Sequence, residues 1–264
     1  MKFLARIAGR TIAPVCLAVV QLVLVGPAHA ALGNIPSSPL VTDGNVTAFA
    51  KSGNTLYIGG SFERIGMRTG PLVTTNASTG DLEPGLPVVS GNFGWVAALV
   101  PDGAGGWYIG GSFTHVGAAA RSNLAHVLAD GSVDPSFNPA PDATVRSLVL
   151  SGSTLFAGGD FQTIGGQSRT GLAALNATTG NATSWAPNPD SDVGSMALSA
   201  GTLYVAGDFS NIGATPQARA GLAAVDTSTG NATSWNPNPT DPDSVNLNAL
   251  AVSGSTVYVA GRFS

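Results

Sequence analysis

Cysteine is all but missing: Cys16 is the only copy in 264 residues. It lies in a leader segment, so the mature chain carries no disulfide, no thiol nucleophile and no thiolate metal ligand. That argues against a small disulfide-stapled module. Histidine is nearly as scarce. Past the leader only His115 and His126 remain, and two imidazoles without a cysteine do not build the usual copper or zinc site. Charged residues make up 10% of the chain, with 15 acidic against 11 basic, and no basic patch offers a footprint for nucleic acid. Long apolar runs are lacking too. The one candidate, Thr11 to Val25, is short for a membrane span and is broken by Pro14 and Gln21. Helical periodicity of useful length is absent, which removes βαβ units and helical solenoids.

The first thirty residues read as a secretory signal. Lys2, Arg6 and Arg10 form a basic start, an apolar stretch follows, and Ala28-His29-Ala30 fits a small-x-small cleavage site after Ala30. Ala13-Pro14-Val15 before Cys16 is a poor lipobox. The signal takes three basic residues with it and no acidic one, so the mature chain is more acidic than the −4 of the whole. No second apolar segment follows. The expected location is therefore extracellular or at the cell surface, with no transmembrane segment after cleavage. Residues 31–45 form a lead-in to the folded part, which spans 46–264.

What the sequence has in quantity is repetition. Five copies of one pattern close on Phe62, Phe113, Phe161, Phe209 and Phe263, a spacing of about fifty residues. The copies read LYIGGSF, WYIGGSF, LFAGGDF, LYVAGDF and VYVAGRF. In the third unit Val145–Leu150 and Leu155–Gly159 read as two antiparallel strands joined at Gly152, which supplies a tight turn. Gln162–Ser168 reads as a loop. Leu172–Leu175 is a third strand, Asn176–Gly180 a turn, and Asn181–Trp185 a fourth strand that ends at Pro187. The units run over about 46–89, 95–139, 145–189, 193–239 and 247–264, the last stopping after two strands. Phe137, Trp185 and Trp235 mark the fourth run, whereas Leu82–Pro87 of the first unit has no aromatic.

The inner runs are apolar at consecutive positions, which marks strands covered on both faces. Four short strands per fifty residues is the period of a β-propeller blade. The expected fold is therefore all-β: a propeller of four-stranded antiparallel blades, four of them complete and a fifth partial, in an incomplete ring. The runner-up is a parallel β-helix or solenoid. An open ring further implies blades or domains beyond Ser264, and association when the segment stands alone.

The run Ala129-Asp130-Gly131-Ser132-Val133-Asp134-Pro135-Ser136-Phe137-Asn138-Pro139, followed by VRSLVL and by Phe156–Phe161, closely resembles the delta-60 repeat, a bacterial extracellular β-propeller repeat of unknown function. The likeness covers nearly all of the chain after residue 45. It implies a propeller in a secreted or surface-exposed protein and no established catalytic residue.

Several residue sets invite a chemical reading. Arg68, Arg121, Arg169 and Arg219 hold one slot before the third strand. An anion-binding ring competes there with a repeated structural contact, and periodic residues favour the contact. Asp160 and Asp208 share a slot with Ser61, Ser112 and Arg262, and a position that tolerates Arg is a poor metal ligand. Asp190, Asp192, Asp241 and Asp243 lie between units without a calcium-loop pattern, so turn capping is expected. Asn45, Asn76, Asn176, Asn181 and Asn231 open Asn-x-Ser/Thr triplets that mostly coincide with turns. The Gly158-Gly159 pair and its copies precede no helix. They read as places where a strand bends or a neighbour comes close. No Ser-His-Asp set, nucleophile elbow or phosphate loop is present.

No catalytic, cofactor-binding or metal residue is therefore assigned, and no cofactor is expected. The reading is a non-catalytic binding or display module with an extracellular protein or glycan as partner. The alternatives are a propeller-scaffold enzyme (quinoprotein-like or carbohydrate-active) and a structural spacer.

Overall fold

The computed structural model describes residues 44–62, 64–65, 68–69, 71–83, 85–239 and 246–262. The expected signal segment, the lead-in before residue 44, and Asp241 and Asp243 lie outside them. All regular structure among the described residues is β-strand.

Each unit is built on a meander. In the third unit the strand Val145–Ser151 pairs antiparallel with Thr154–Gly159, which pairs with Leu172–Asn176. The fourth unit repeats this with Val193–Ser199, Thr202–Gly207 and Leu222–Asp226. The second does so with Trp95–Pro101, Trp107–Ser112 and Leu124–Val127. The first uses Asn45–Ser52, Thr55–Ser61 and Leu72–Asn76. The fifth holds Asn246–Ser253 and Thr256–Arg262 only. Gly152 does take the positive φ (56°) that the tight turn needs.

The outer strand departs from expectation. In units two, three and four it shrinks to one bridge each, Val127 to Val133, Leu175 to Ala182 and Val225 to Ala232. Prolines and a side chain-capped turn leave too few residues for a ladder. The first unit, whose outer run lacks an aromatic, is the one that forms a short true strand, Leu82–Glu83. Where the ladder fails, an aromatic takes over. Phe137, Trp185 and Trp235 stand edge-on to Tyr108, Phe156 and Tyr204 of the second strands, with centroids 5.1–5.2 Å apart.

The presumed loop after the second strand is a small hairpin instead, Thr163–Ile164 against Gln167–Ser168. It recurs as Asn211–Ile212 with Gln217–Ala218 and as His115–Val116 with Ala119–Ala120. Its one apolar residue is a buried plug: Val116, Ile164 and Ile212 are 0–1% exposed. Val89–Ser90, the tail of the first unit, adds a third strand to the hairpin of the second.

Units stack face to face. Val96 packs with Tyr57 and Leu72 of the unit before it, and Val145 and Leu148 with Ala98, Tyr108 and Leu124. Val193 and Met196 pack with Val149 and Phe156, and Leu247 and Leu250 with Ala197 and Ala206. The paired glycines explain themselves here. A Cβ on Gly59 or Gly110 would lie 2.7 Å from Val96 or Val145 of the next unit. A Cβ on the second glycine, Gly60, Gly111, Gly159 or Gly207, would lie 2.0–2.1 Å from a carbonyl oxygen at, or just before, the start of its own first strand. One glycine lets neighbouring sheets approach and the other lets its own strand bend.

Candidate functional site: an axial cavity lined by five bulges

The first strands of all five units line one cavity of about 280 Å³. Each of them carries the same irregularity. The register against the second strand slips between Val46 and Ala48, Val96 and Ala98, Val145 and Ser147, Val193 and Ser195, and Leu247 and Ala249. A bulge leaves one residue without a ladder partner and re-aims it. The five residues so placed are Thr47, Ala97, Arg146, Gly194 and Asn248, and every one lines the cavity. They have no side-chain property in common, whereas the flanking apolar residues repeat from unit to unit.

Arg146 supplies the charge. Its guanidinium forks onto Asp160, with Nε donating to Oδ1 and Nη2 to Oδ2 at 2.8 Å. That hydrogen bond holds the arginine above its ordinary pKa against the opposing effect of burial, and the charges of Asp160, Asp192 and Asp208 act in the same direction. Asp160 is the carboxylate in contact with the guanidinium. Asp160 and Asp208, alike in sequence, part company: only Asp160 has this ion pair. Other cavity groups are already engaged. The Thr47 hydroxyl donates to the Val96 carbonyl, and the Ser195 hydroxyl accepts from the Leu250 amide at 3.0 Å. Phe49, Trp95, Ser147 and Asn248 complete the polar and aromatic lining.

Arg121, Arg169 and Arg219 do not reach this cavity. Arg121 donates to the carbonyls of Phe137, Ala120 and Asp134. Arg169 donates to Ser168 and Thr183, and Arg219 to Ala218 and Thr233 at 2.7 and 2.6 Å. Each staples the outer run of its own unit back onto the small hairpin, a task made necessary by the missing ladder. The Nε atoms of Arg169 and Arg219 are buried without a partner, where Arg121 finds the Phe137 carbonyl. The side chain of Arg68 lies outside the described residues.

Between units, Asp190 accepts from the Ser210 and Asn211 amides at 2.7 and 3.0 Å, and Asp142 does the same for Gln162 and Thr163. Burial would raise both carboxyls, but these hydrogen bonds outweigh it and hold them below the usual range. Asn76, Asn176 and Asp226 fold back onto their own turns in the same way. Among the described residues no group of three or more His, Cys, Asp and Glu is arranged to hold a metal, and no helix is long and apolar enough to cross a membrane.

His115 is exposed on the hairpin of the second unit, bonded to the Thr114 hydroxyl at 2.9 Å. His126 is buried. It lies between two carboxylates, Asp134 at 2.9 Å from Nδ1 and Asp102 at 3.1 Å from Nε2, and stacks on Tyr108 with centroids 4.3 Å apart. Burial, then the charges of Asp102 and Asp134, push the Tyr108 phenol up to about 12, and its hydroxyl donates to the Ala177 carbonyl at 2.7 Å. Sequence reasoning had neither this cluster nor the cavity residues. The available signal was Arg146, the one charge inside the apolar run VRSLVL.

The repeat, the face-to-face sheets and the shared axis define an all-β chain of the β-propeller class. A family model described as a domain of unknown function (DUF5122) beta-propeller matches residues 105–137. No curated protein matches. Among solved structures, a chain of a nidogen–laminin complex is similar, with TM-score 0.52 at 10% identity, covering 83% of this chain and 72% of that one. The computationally designed Ika4 protein gives TM-score 0.48 at 15% identity, covering 74% of this chain and 98% of that one. The designed Ika8 protein gives 0.46 at 14% identity, covering 82% and 68%.

Proposed function

We propose that this chain is a secreted or surface-exposed, non-catalytic binding module of the delta-60 propeller type, with four blades and a two-stranded fifth, whose ligand enters the mouth of the axial cavity. One observation carries the reading. The bulge recurs in every unit, yet its five residues differ in kind, which suits recognition better than packing. Mixed polar and aromatic lining is the composition of a small-ligand site.

The test uses the mature chain, residues 31–264, applied to glycan and peptide arrays beside a cavity-filled variant, Gly194→Trp. The expected result is a ligand class bound by the native chain and lost in the variant, with the melting curve of each recorded. A second filling variant, Ala97→Trp, guards against misfolding of the first. Binding that survives both fillings, or no binding in either array, overturns the reading. Amino-terminal sequencing of the exported protein should begin at Ala31.

A further inference from the structure

We propose that the mouth of the axial cavity is a site for the end of a neutral saccharide chain, with Trp95 as the stacking platform and Arg146, Ser147 and Asn248 as hydroxyl partners. This rests on the binding-module reading and names its ligand class.

The aromatic side of the mouth is peculiar to the second unit. Trp95 immediately precedes the inward Val96, a place held by Thr144 and Asp192 in the next two units. Phe93 takes the place that Asp142 and Asp190 hold there, the carboxylates that cap the small hairpins. The second unit has no need of that cap, because Val89–Ser90 pairs with the hairpin directly and the Thr114 amide donates to the Ser90 carbonyl at 2.9 Å. Freed from capping, the slot holds a phenylalanine that is 87% exposed, two residues before a half-buried tryptophan on the cavity wall. Neither ring is required by the core of the unit. An indole face carries negative charge density and attracts the weakly positive C–H face of a pyranose ring.

The adjoining third unit and the fifth supply the polar groups. Arg146 presents a planar fork and Asn248 is exposed at the wall. A guanidinium and an amide donate to vicinal hydroxyls, and the Asn248 amide oxygen and the Ser147 hydroxyl accept from them. Asp160 already matches the arginine's charge through the forked contact. Among the described residues Arg146 is the one charged residue lining the cavity and it is already paired, so uronates and other anionic sugars gain no free cation there. At about 280 Å³ the cavity is smaller than most drug-sized pockets, roughly 300–1,000 Å³. It suits the terminal sugar of a chain better than a continuous length.

The test is titration of the mature chain with cellopentaose, laminaripentaose, maltopentaose and chitopentaose, read by tryptophan emission and calorimetry, with a galacturonate pentamer as the anionic probe. At least one neutral oligomer should bind and shift the emission. Trp95→Ala should weaken that binding by about tenfold or more, and Trp95→Tyr should keep it within a few-fold. Asn248→Ala, on a separate strand, should weaken it independently, and melting curves show whether each variant is folded. Binding of none of the neutral oligomers, preference for the galacturonate, or binding indifferent to both Trp95→Ala and Asn248→Ala overturns the proposal. A peptide ligand blocked by filling the cavity would sink the saccharide assignment while leaving the binding-module reading in place.

Discussion

Replacing His126 with alanine tests the buried cluster of the second unit. The alanine itself fits the strand. His126 pairs with Tyr108, and in the next two units Ala174 and Ala224 pair with Phe156 and Tyr204 in the same register. The cost is therefore electrostatic. The contacts of the ring nitrogens with the Asp134 carboxylate at 2.9 Å and the Asp102 carboxylate at 3.1 Å are lost. The stack on Tyr108 goes with them. Side-chain exposures of 10–13% leave the two carboxylates little water to replace the imidazole. Stranding paired, mostly buried charges costs about 3 kcal/mol, which for a chain of this size is a fall of roughly 6–12 °C in Tm. Adding Asp102→Asn and Asp134→Asn keeps the turn-capping oxygens and removes both stranded charges, so the triple variant should recover about half of the loss. Thermal and urea melts followed by far-ultraviolet circular dichroism read both effects. An unchanged Tm in the single variant, or a triple variant weaker than the single, would refute the electrostatic reasoning.

Arg169→Ala and Arg219→Ala should each destabilise by about 1–3 kcal/mol, because the Thr183 and Thr233 carbonyls lose their donors; unchanged melting with loss of an anionic ligand would show a binding role instead. Gly207→Ala places a Cβ 2.0 Å from the Asp192 carbonyl oxygen and should cost about 3 kcal/mol or more, whereas Gly166→Ala, with open space but φ of +78°, should cost only about 1 kcal/mol; equal effects in the melts would contradict the close-approach explanation. Stability should fall at both pH extremes. The Tyr108 phenol, raised to about 12, gives a contribution complete below pH 10 that is lost as pH climbs through 12. Asp134, Asp142, Asp190 and Asp226 are all lowered, Asp226 to about 2 by its Ser228 and Thr229 hydrogen bonds, so their contribution is present above pH 4 and lost as pH falls toward 2; a melting temperature that rises in acid would count against this. Tyr258 is 57% exposed on a strand whose counterparts Tyr57, Tyr108 and Phe156 are 2–5% exposed, so the 264-residue chain should self-associate in light scattering and Tyr258→Lys should reduce it.

The fold was legible because its determinants are local and repeated. Apolar pairs, the Gly-Gly or Ala-Gly step and the closing phenylalanine fix the first two strands in each unit. The outer strand was not, since a run such as Asn181–Trp185 has strand-like residues but too short a span between turn and proline. Its real anchors are Arg169 and Trp185, one bonded to Thr183 and the other packed on Phe156. The hairpin after the second strand was hidden because two-residue strands leave no periodicity. The cavity stayed out of reach for another reason. Thr47, Ala97, Arg146, Gly194 and Asn248 share a slot only once the register slip is known, and a slip in pairing leaves no mark in the sequence. Asp102, His126 and Asp134 come together across three segments of one unit, which spacing alone does not reveal.

The recurring bulge also separates two tasks that most sheet positions must perform together. A residue in a regular ladder answers to its partner strand and to the neighbouring sheet, and drift there is punished by both. The bulged residue has no ladder partner, and what it touches differs from unit to unit: Thr47 the Val96 carbonyl, Arg146 the Asp160 carboxylate. One such position per unit gives the chain five places where substitutions accumulate at little cost to folding, all opening on the same space. Duplication of a unit then brings one more variable position to the axis along with one more blade. The cavity lining in such an architecture is able to diverge as quickly as a loop while remaining mounted on a paired strand.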